Sequence, residues 1–424
     1  MTYSHRLLET KLRAYRESFP CVVLVGARQV GKTTLLQHLF GASAKTFVFD
    51  PVQDQFGARH DPDLFLRNNP PPLILDEIQY APELVPALKR AVDRDRRPGQ
   101  FVLTGSQQWQ VMRTLAESLA GRAAILELSG FALCEERLQP DGGWMNRWLE
   151  VASSADIAAG ESGFDGYASV SARPSACIWR GAYPEPQHLP ESVVPGWFLG
   201  YASTYLQRDV RLLLESRDET RFATFLALCA ALTAQEVNAA QLGRDIGLAH
   251  TTARRWLDVL RGTYQWLELP AYNRNSLKRI SQRPKGHLWD TGLACYLLRL
   301  SSPEAVSGHP AFGALFESWV VGDALRQLQR ENTVPAAWHY RRHSGAEVDL
   351  VLERDGRLYP IEVKATANPT GRDAAGVSAF QEEFGDRTSL GLVIHAGDRI
   401  LRLGDRCLGI PFDLMRGSKV PGRS

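Results

Sequence analysis

Two groups of residues in this 424-residue chain have types and spacings that could do chemistry. The first is Gly26-Ala27-Arg28-Gln29-Val30-Gly31-Lys32-Thr33, followed by Thr34, set between the apolar run Val22 to Val25 and a helical pattern carrying Leu35, Leu36 and Leu39. This is G-x-x-x-x-G-K-[ST] in a strand–loop–helix context. Gly26 and Gly31 can take backbone conformations that a β-carbon forbids, so successive N–H groups can turn inward around a phosphate. A helix starting near Lys32 adds roughly half a positive charge at its N-terminus. Lys32 is expected to reach the β- and γ-phosphates, and the Thr33 hydroxyl to complete a Mg²⁺ shell. Residues Gly26 to Thr34 are therefore the expected cradle for ATP. Leu73-Ile74-Leu75-Asp76-Glu77 is an apolar strand ending in two carboxylates, placed to bring Asp76 to Mg²⁺ and Glu77 to the attacking water. Thr104 and Ser106 close another buried run, at the strand ends where parallel sheets bind their ligands. Arg122, just after Ser118-Leu119-Ala120-Gly121, is expected to reach a phosphate in its own subunit or a neighbour's.

The second group lies near the C-terminus. Residues 345–353 read as a strand carrying Asp349, Asp355-Gly356 as a two-residue hairpin turn, and residues 358–364 as the return strand. Side chains alternate along a strand, so Glu362 and Lys364 share a face, with Asp349 on the partner strand. Glu317, on an upstream helix, can join them. Asp349, Glu362 and Glu317 are the expected ligands of a second Mg²⁺, with Lys364 positioning or deprotonating water, as in phosphodiester cleavage.

These residues need elements to hold them. The chain is too long for one core, and its 44% apolar and 23% charged residues are ordinary for a globular protein. Residues 1–138 alternate strand and helix, which predicts an α/β core with a parallel sheet. Residues 139–192 read as an insertion or hinge, dominated over 139–176 by Gly, Ser, Ala and Asp, with a short helix near Trp148–Val151. Residues 193–300 are helical, with a helix-turn-helix and β-wing pattern from 238 onward, and residues 301–424 form the C-terminal α/β domain. With a net charge of only +2, nucleic-acid binding cannot be argued from the whole chain and must come from local patches; residues 244–299 hold ten basic against four acidic residues. Arg254, Arg255, Arg261, Lys278 and Arg279 are the expected DNA contacts, mostly to phosphates. Six scattered cysteines with no C-x-x-C pair argue against a zinc or disulfide framework and for a reducing compartment. No apolar run approaches the ~20 residues that span a bilayer, and the amphipathic N-terminus is unlike a signal peptide. A cytoplasmic protein is expected.

The segments GARQVGKTTLL, LILDEIQ, LTGSQ, SLAGR, GAYPEP, TYLQRDVR, WDTGLACYLL and EVDLVLE…IEVK together resemble a family of prokaryotic AAA-type P-loop ATPases over nearly the whole chain. The resemblance implies an AAA-type core, a winged-helix segment and a C-terminal domain similar to the PD-(D/E)XK restriction-endonuclease fold. It implies an ATP site at Gly26 to Thr33, Asp76 and Glu77, and a nuclease-like site at Glu317, Asp349, Glu362 and Lys364. Two departures stand out: Gly130-Phe131-Ala132 replaces the proline-phenylalanine-serine step expected there, and the 139–176 stretch is long. The leading expectation is a Mg²⁺-dependent ATPase, as a homo-oligomer or alone, that binds DNA and gates a nuclease-like domain by ATP turnover. The alternative is a nucleotide-dependent interaction switch, or a signalling or defence regulator, whose C-terminal domain binds a partner without cutting.

Overall fold

Apolar runs without alternation make strands buried on both faces, whereas edge strands need cover on one face only. The first sheet follows that rule. In the computed structural model, which describes residues 3–105, 119–153, 162–210, 219–273, 282–342 and 345–417, it is built from β1 (Cys21–Val25), β2 (Lys45–Val48), β3 (Leu73–Asp76), β4 (Phe101–Gly105) and β5 (Ala123–Glu127). All neighbours run parallel in the order β2-β3-β4-β1-β5. The three inner strands are buried throughout, and the two edge strands only in part. The helix Leu84–Arg94 turns Leu84, Leu88 and Val92 inward at helical spacing. The register puts Gly26, Asp76 and Gly105 at or just beyond the carboxyl ends of their strands.

Residues 3–130 with 259–265 form one compact unit, and 131–258 with 266–424 the other. The second unit holds β6 (Tyr167–Ser169), a small antiparallel sheet of β7 (Gln235–Glu236), β9 (Lys285–Leu288) and β8 (Trp266–Leu269), and a six-stranded mixed sheet. The mixed sheet has β10 (Ala336–Arg341), β11 (Glu347–Arg354), β12 (Arg357–Lys364), β13 (Gly391–His395), β15 (Cys407–Pro411) and β14 (Leu401–Gly404) in that spatial order, and β16 (Leu414–Arg416) pairs with β6. The hairpin turn falls where the sequence predicts it: Arg354 pairs with Arg357, and Asp355 and Gly356 both have positive φ, 51° and 77°. Tyr272, Tyr340, Phe380 and Phe384 pack with Val348, Val351 and Leu358 on one side of this sheet. Each such side chain contributes roughly 1.5–3 kcal/mol by leaving water.

The expected insertion or hinge at 139–192 is corrected. The helix Trp144–Ser153 buries Trp144 and Trp148, and the Trp148 indole donates to the Leu390 carbonyl at 3.2 Å. With β6 on β16, this stretch belongs to the core of the second unit. Its partners lie more than two hundred residues along the chain, so local patterning does not reveal them. No helix among the described residues is long and apolar enough to cross a membrane.

Candidate functional site

The turn after β1 is shaped by glycine. Gly26 has φ of 146°, and a β-carbon there would sit 2.0 Å from the Leu128 carbonyl oxygen. Gly31, with φ of 93°, is the left-handed residue from which the helix Lys32–Phe40 starts. Only glycine fits the first position, and the second favours it strongly. Lys32 is buried and donates to the carbonyls of Gly26 and Ala27 at 2.8 and 2.7 Å, so the loop folds back over its own ammonium. Arg28 donates to the Tyr80 hydroxyl at 3.0 Å. Gln29 also has positive φ, Val30 is buried under the loop, and Thr34 is exposed on the helix's first turn.

Asp76 organises the other half. The Thr33 hydroxyl donates to its Oδ2 at 2.5 Å, the Thr104 hydroxyl donates to its Oδ1, and the Glu77 N–H donates to Oδ1 at 3.0 Å. Thr104 thus orients the acid at the end of β3 from the neighbouring strand. Glu77 sits in the left-handed region at φ of 57°, and its Oε2 accepts from the Gln79 amide at 2.5 Å. A non-glycine residue held there signals local strain of the kind that collects at functional sites. A glycine cradle, a buried lysine and a hydroxyl–carboxylate pair fit ATP with Mg²⁺.

One buried residue escapes motif reasoning. Arg6 donates to the Val30 carbonyl at 2.9 Å and to those of Ser129 and Gly130 at 2.7 and 3.1 Å, fastening the P-loop to the segment after β5. An arginine in an N-terminal charged pattern carries no local sign of this. Arg122 is placed differently from expectation. It precedes β5, whose Ala123 pairs with Cys21 at the start of β1, so it lies at the amino edge of the sheet, away from the P-loop. There it donates to Asp93 at 2.5 Å and to the Ala120 carbonyl at 3.0 Å. The hydrogen bond from its guanidinium holds the Asp93 carboxyl below the usual range. Its expected role as a phosphate contact within its own subunit is corrected. Ser106, Lys278 and Arg279 lie outside the described residues.

The C-terminal carboxylates come together in a cavity of about 900 Å³ in the second unit. Glu317 enters from the buried helix Phe312–Gln327, Asp349 from β11, and Glu362 and Lys364 from β12. Lys364 donates to Glu362 Oε1 at 2.6 Å. Asp349 Oδ2 accepts from the Val363 N–H at 2.9 Å, locking the two strands at this point. The residue at the centre carries no sequence motif. Lys285, the first residue of β9, puts its ammonium 2.7 Å from Asp349 Oδ1, 2.6 Å from Glu317 Oε1 and 2.9 Å from Glu347 Oε1. Burial alone would push this ammonium down, but the charges of Asp349, Glu317 and Glu347 reverse the effect and hold it above the usual lysine range. Burial, then the Asp349 charge, pushes Glu362 up to about 8. Burial and the same charge also raise Glu317. With Lys285 in place Glu317 and Asp349 do not fit a divalent ion, because an ammonium already stands between their oxygens, while Glu362 is paired with Lys364. That corrects the expectation that Glu317, Asp349 and Glu362 hold Mg²⁺ as they stand. Lys285 could not have been singled out: it reads as the end of a basic run.

The helix pair Ala239–Asp245 and His250–Gly262 is joined by a turn at Gly247, φ 69°. Trp256, Leu257 and Leu260 face inward, while Arg254, Arg255 and Arg261 are exposed.

Comparison with known proteins agrees with the P-loop geometry. Residues 18–136 match a family model described as an AAA domain. The first unit therefore carries an AAA-type P-loop ATPase domain. Residues 174–304 and 312–415 match two domains of unknown function, DUF8612 and DUF4143. Uncharacterized proteins of Mycobacterium bovis and Mycobacterium tuberculosis are each 29% identical over 417 residues, spanning 97% of this chain and 85% of theirs. Among solved structures, a Walker-type ATPase of Pyrococcus abyssi aligns at 15% identity and a TM-score of 0.39, covering 68% of this chain and 94% of that one. Thermotoga maritima RuvB, a Holliday junction branch migration motor, aligns at 17% identity and a TM-score of 0.28, covering 65% and 94%.

Proposed function

We propose that the protein is a Mg²⁺-dependent ATPase working as a nucleotide-dependent switch, and the Asp76 constellation carries that reading. Thr33 and Asp76 share a hydrogen bond beside the P-loop, and these two side chains would hold the Mg²⁺ that accompanies the nucleotide. Bound Mg²⁺ would supply neutralisation of phosphate charge. The chain's own groups do the rest: loop N–H groups and Lys32 hold the phosphates, Thr104 fixes Asp76, and Gln79 steadies the Glu77 carboxylate beside the attacking water. The test is ATP turnover with purified protein. The wild type should hydrolyse ATP with Mg²⁺, Lys32→Ala should lose nucleotide binding, and Glu77→Gln should bind ATP but turn it over about 10²–10⁴-fold more slowly. Wild-type turnover by Glu77→Gln would overturn the assignment of the base.

The switch is favoured over an ATP-gated nuclease by one observation: Lys285 occupies the centre of the acidic pocket. DNA remains the partner best suited to the exposed face of the helix His250–Gly262, where Arg254 and Arg255 project together. Binding through them falls steeply with salt, and reversing both charges should weaken it about uniformly across sequences. Unchanged binding by Arg254→Glu/Arg255→Glu would remove DNA from this face. Cleavage of supercoiled DNA by the wild type, lost in Asp349→Ala, would restore the nuclease reading.

A further inference from the structure

Lys285 stands among more acid than it needs. One ammonium lies within 2.9 Å of carboxylate oxygens from three residues, Glu317, Glu347 and Asp349, contributed by a helix and a strand. A structural ion pair needs one partner, and removing charges from water is costly enough that surplus buried carboxylates are not retained for stability. A fourth carboxylate, Glu362, is 4% exposed and lines the same cavity, and its Oε2 has no hydrogen-bond partner among the described residues. Convergent hard oxygens of this kind suit a divalent cation such as Mg²⁺ or Mn²⁺.

We infer that Lys285 is a tethered cation standing in a divalent-metal position, so that the pocket takes up a metal ion only when this side chain is removed or withdrawn. The tether makes the ammonium an intramolecular competitor at an effective concentration of about millimolar or more, enough to exclude free metal at ordinary levels. Lys285 also reaches the pocket from a different sheet than its acids. β9 pairs with β7 and β8, while Asp349 and Glu362 lie on the mixed sheet. The inference deepens the switch reading by naming what holds the acidic pocket, yet it is tested without nucleotide, so ATP turnover and metal uptake can fail separately.

The experiment is Mn²⁺ binding to the full chain without nucleotide, read by electron paramagnetic resonance of free Mn²⁺. The variants are Lys285→Ala, Lys285→Arg and the double variant Lys285→Ala/Asp349→Asn. Lys285→Ala should gain one site at least tenfold tighter than any in the wild type. Lys285→Arg should behave as the wild type, and the double variant should lose the gain. The double variant also discounts Mn²⁺ held at His5, Glu9 and His38, whose ligand atoms lie within 4.8 Å of one another. A folded Lys285→Ala protein that binds no more Mn²⁺ than the wild type overturns the inference, as does a gain that survives Asp349→Asn. If Lys285→Ala fails to fold, Lys285→Gln makes the same test with a donor kept for one carboxylate. Folding of either variant only when Mn²⁺ is present supports the inference; failure of both to fold even with Mn²⁺ overturns it.

Discussion

The two units each bury a lysine at the heart of their candidate site, and the two lysines are held in opposite ways. The carbonyls that accept from Lys32, those of Gly26 and Ala27, carry no formal charge. They orient the ammonium within the phosphate loop. Lys285 is surrounded by three carboxylates, so its charge is spent inside the protein. A buried ammonium is a functional group or a structural plug depending on the charge of the oxygens around it. In an interior where charges interact several-fold more strongly than in water, that difference decides whether an anion or a second cation is welcome.

The same substitution at both lysines tests this contrast most severely. Lys285→Ala leaves buried carboxylates without their counter-charge and should destabilise the second unit by about 3–5 kcal/mol in urea unfolding. Lys32→Ala should cost far less stability but weaken ATP binding by about 100-fold or more, read by titration with a fluorescent nucleotide. Equal stability losses at the two positions would break the comparison. Next in size is Arg6→Ala. It removes charge-assisted hydrogen bonds to three carbonyls under the P-loop, so the first unit should lose about 2–3 kcal/mol and ATP affinity should fall several-fold. Loss of affinity without loss of stability would mean that Arg6 contacts nucleotide and does more than fasten the loop. The smallest effect is expected from Arg122→Ala. Tied to Asp93 at the amino edge of the sheet, it should change ATP turnover by less than about twofold, as surface ion pairs contribute little. A drop of tenfold or more that depends on protein concentration would instead mark Arg122 as a residue supplied to a neighbouring subunit's site.

Where the chain encodes structure through neighbouring residues, the sequence was a sufficient guide. The P-loop, the apolar strand ending at Asp76 and the Asp355-Gly356 turn are specified by backbone freedom and side-chain period over a few residues. All three occur where the pattern puts them. The grouping of Glu317, Asp349 and Glu362 was also legible, because strand alternation and one hairpin fix most of it.

The rest was decided by contacts between distant parts of the chain. Lys285 meets Glu317, Glu347 and Asp349 across 32, 62 and 64 residues, and nothing in its own neighbourhood distinguishes it from the other cations of a basic run. Arg122 fell on the wrong edge of the sheet because a residue before a parallel strand enters at the amino edge, a matter of strand direction that a motif read alone does not carry. Residues 139–176 read as a poorly patterned insertion or hinge with a short helix near Trp148–Val151; the helix is there, but Trp148 and β6 find their partners near the C-terminus, which local patterning does not show. The sequence by itself determined that the chain holds a phosphate loop and a set of converging acids. Only the tertiary structure decided that one lysine rests on loop carbonyls and the other among three carboxylates, because charge balance in a buried site depends on every group within a few ångströms, wherever in the chain it originates.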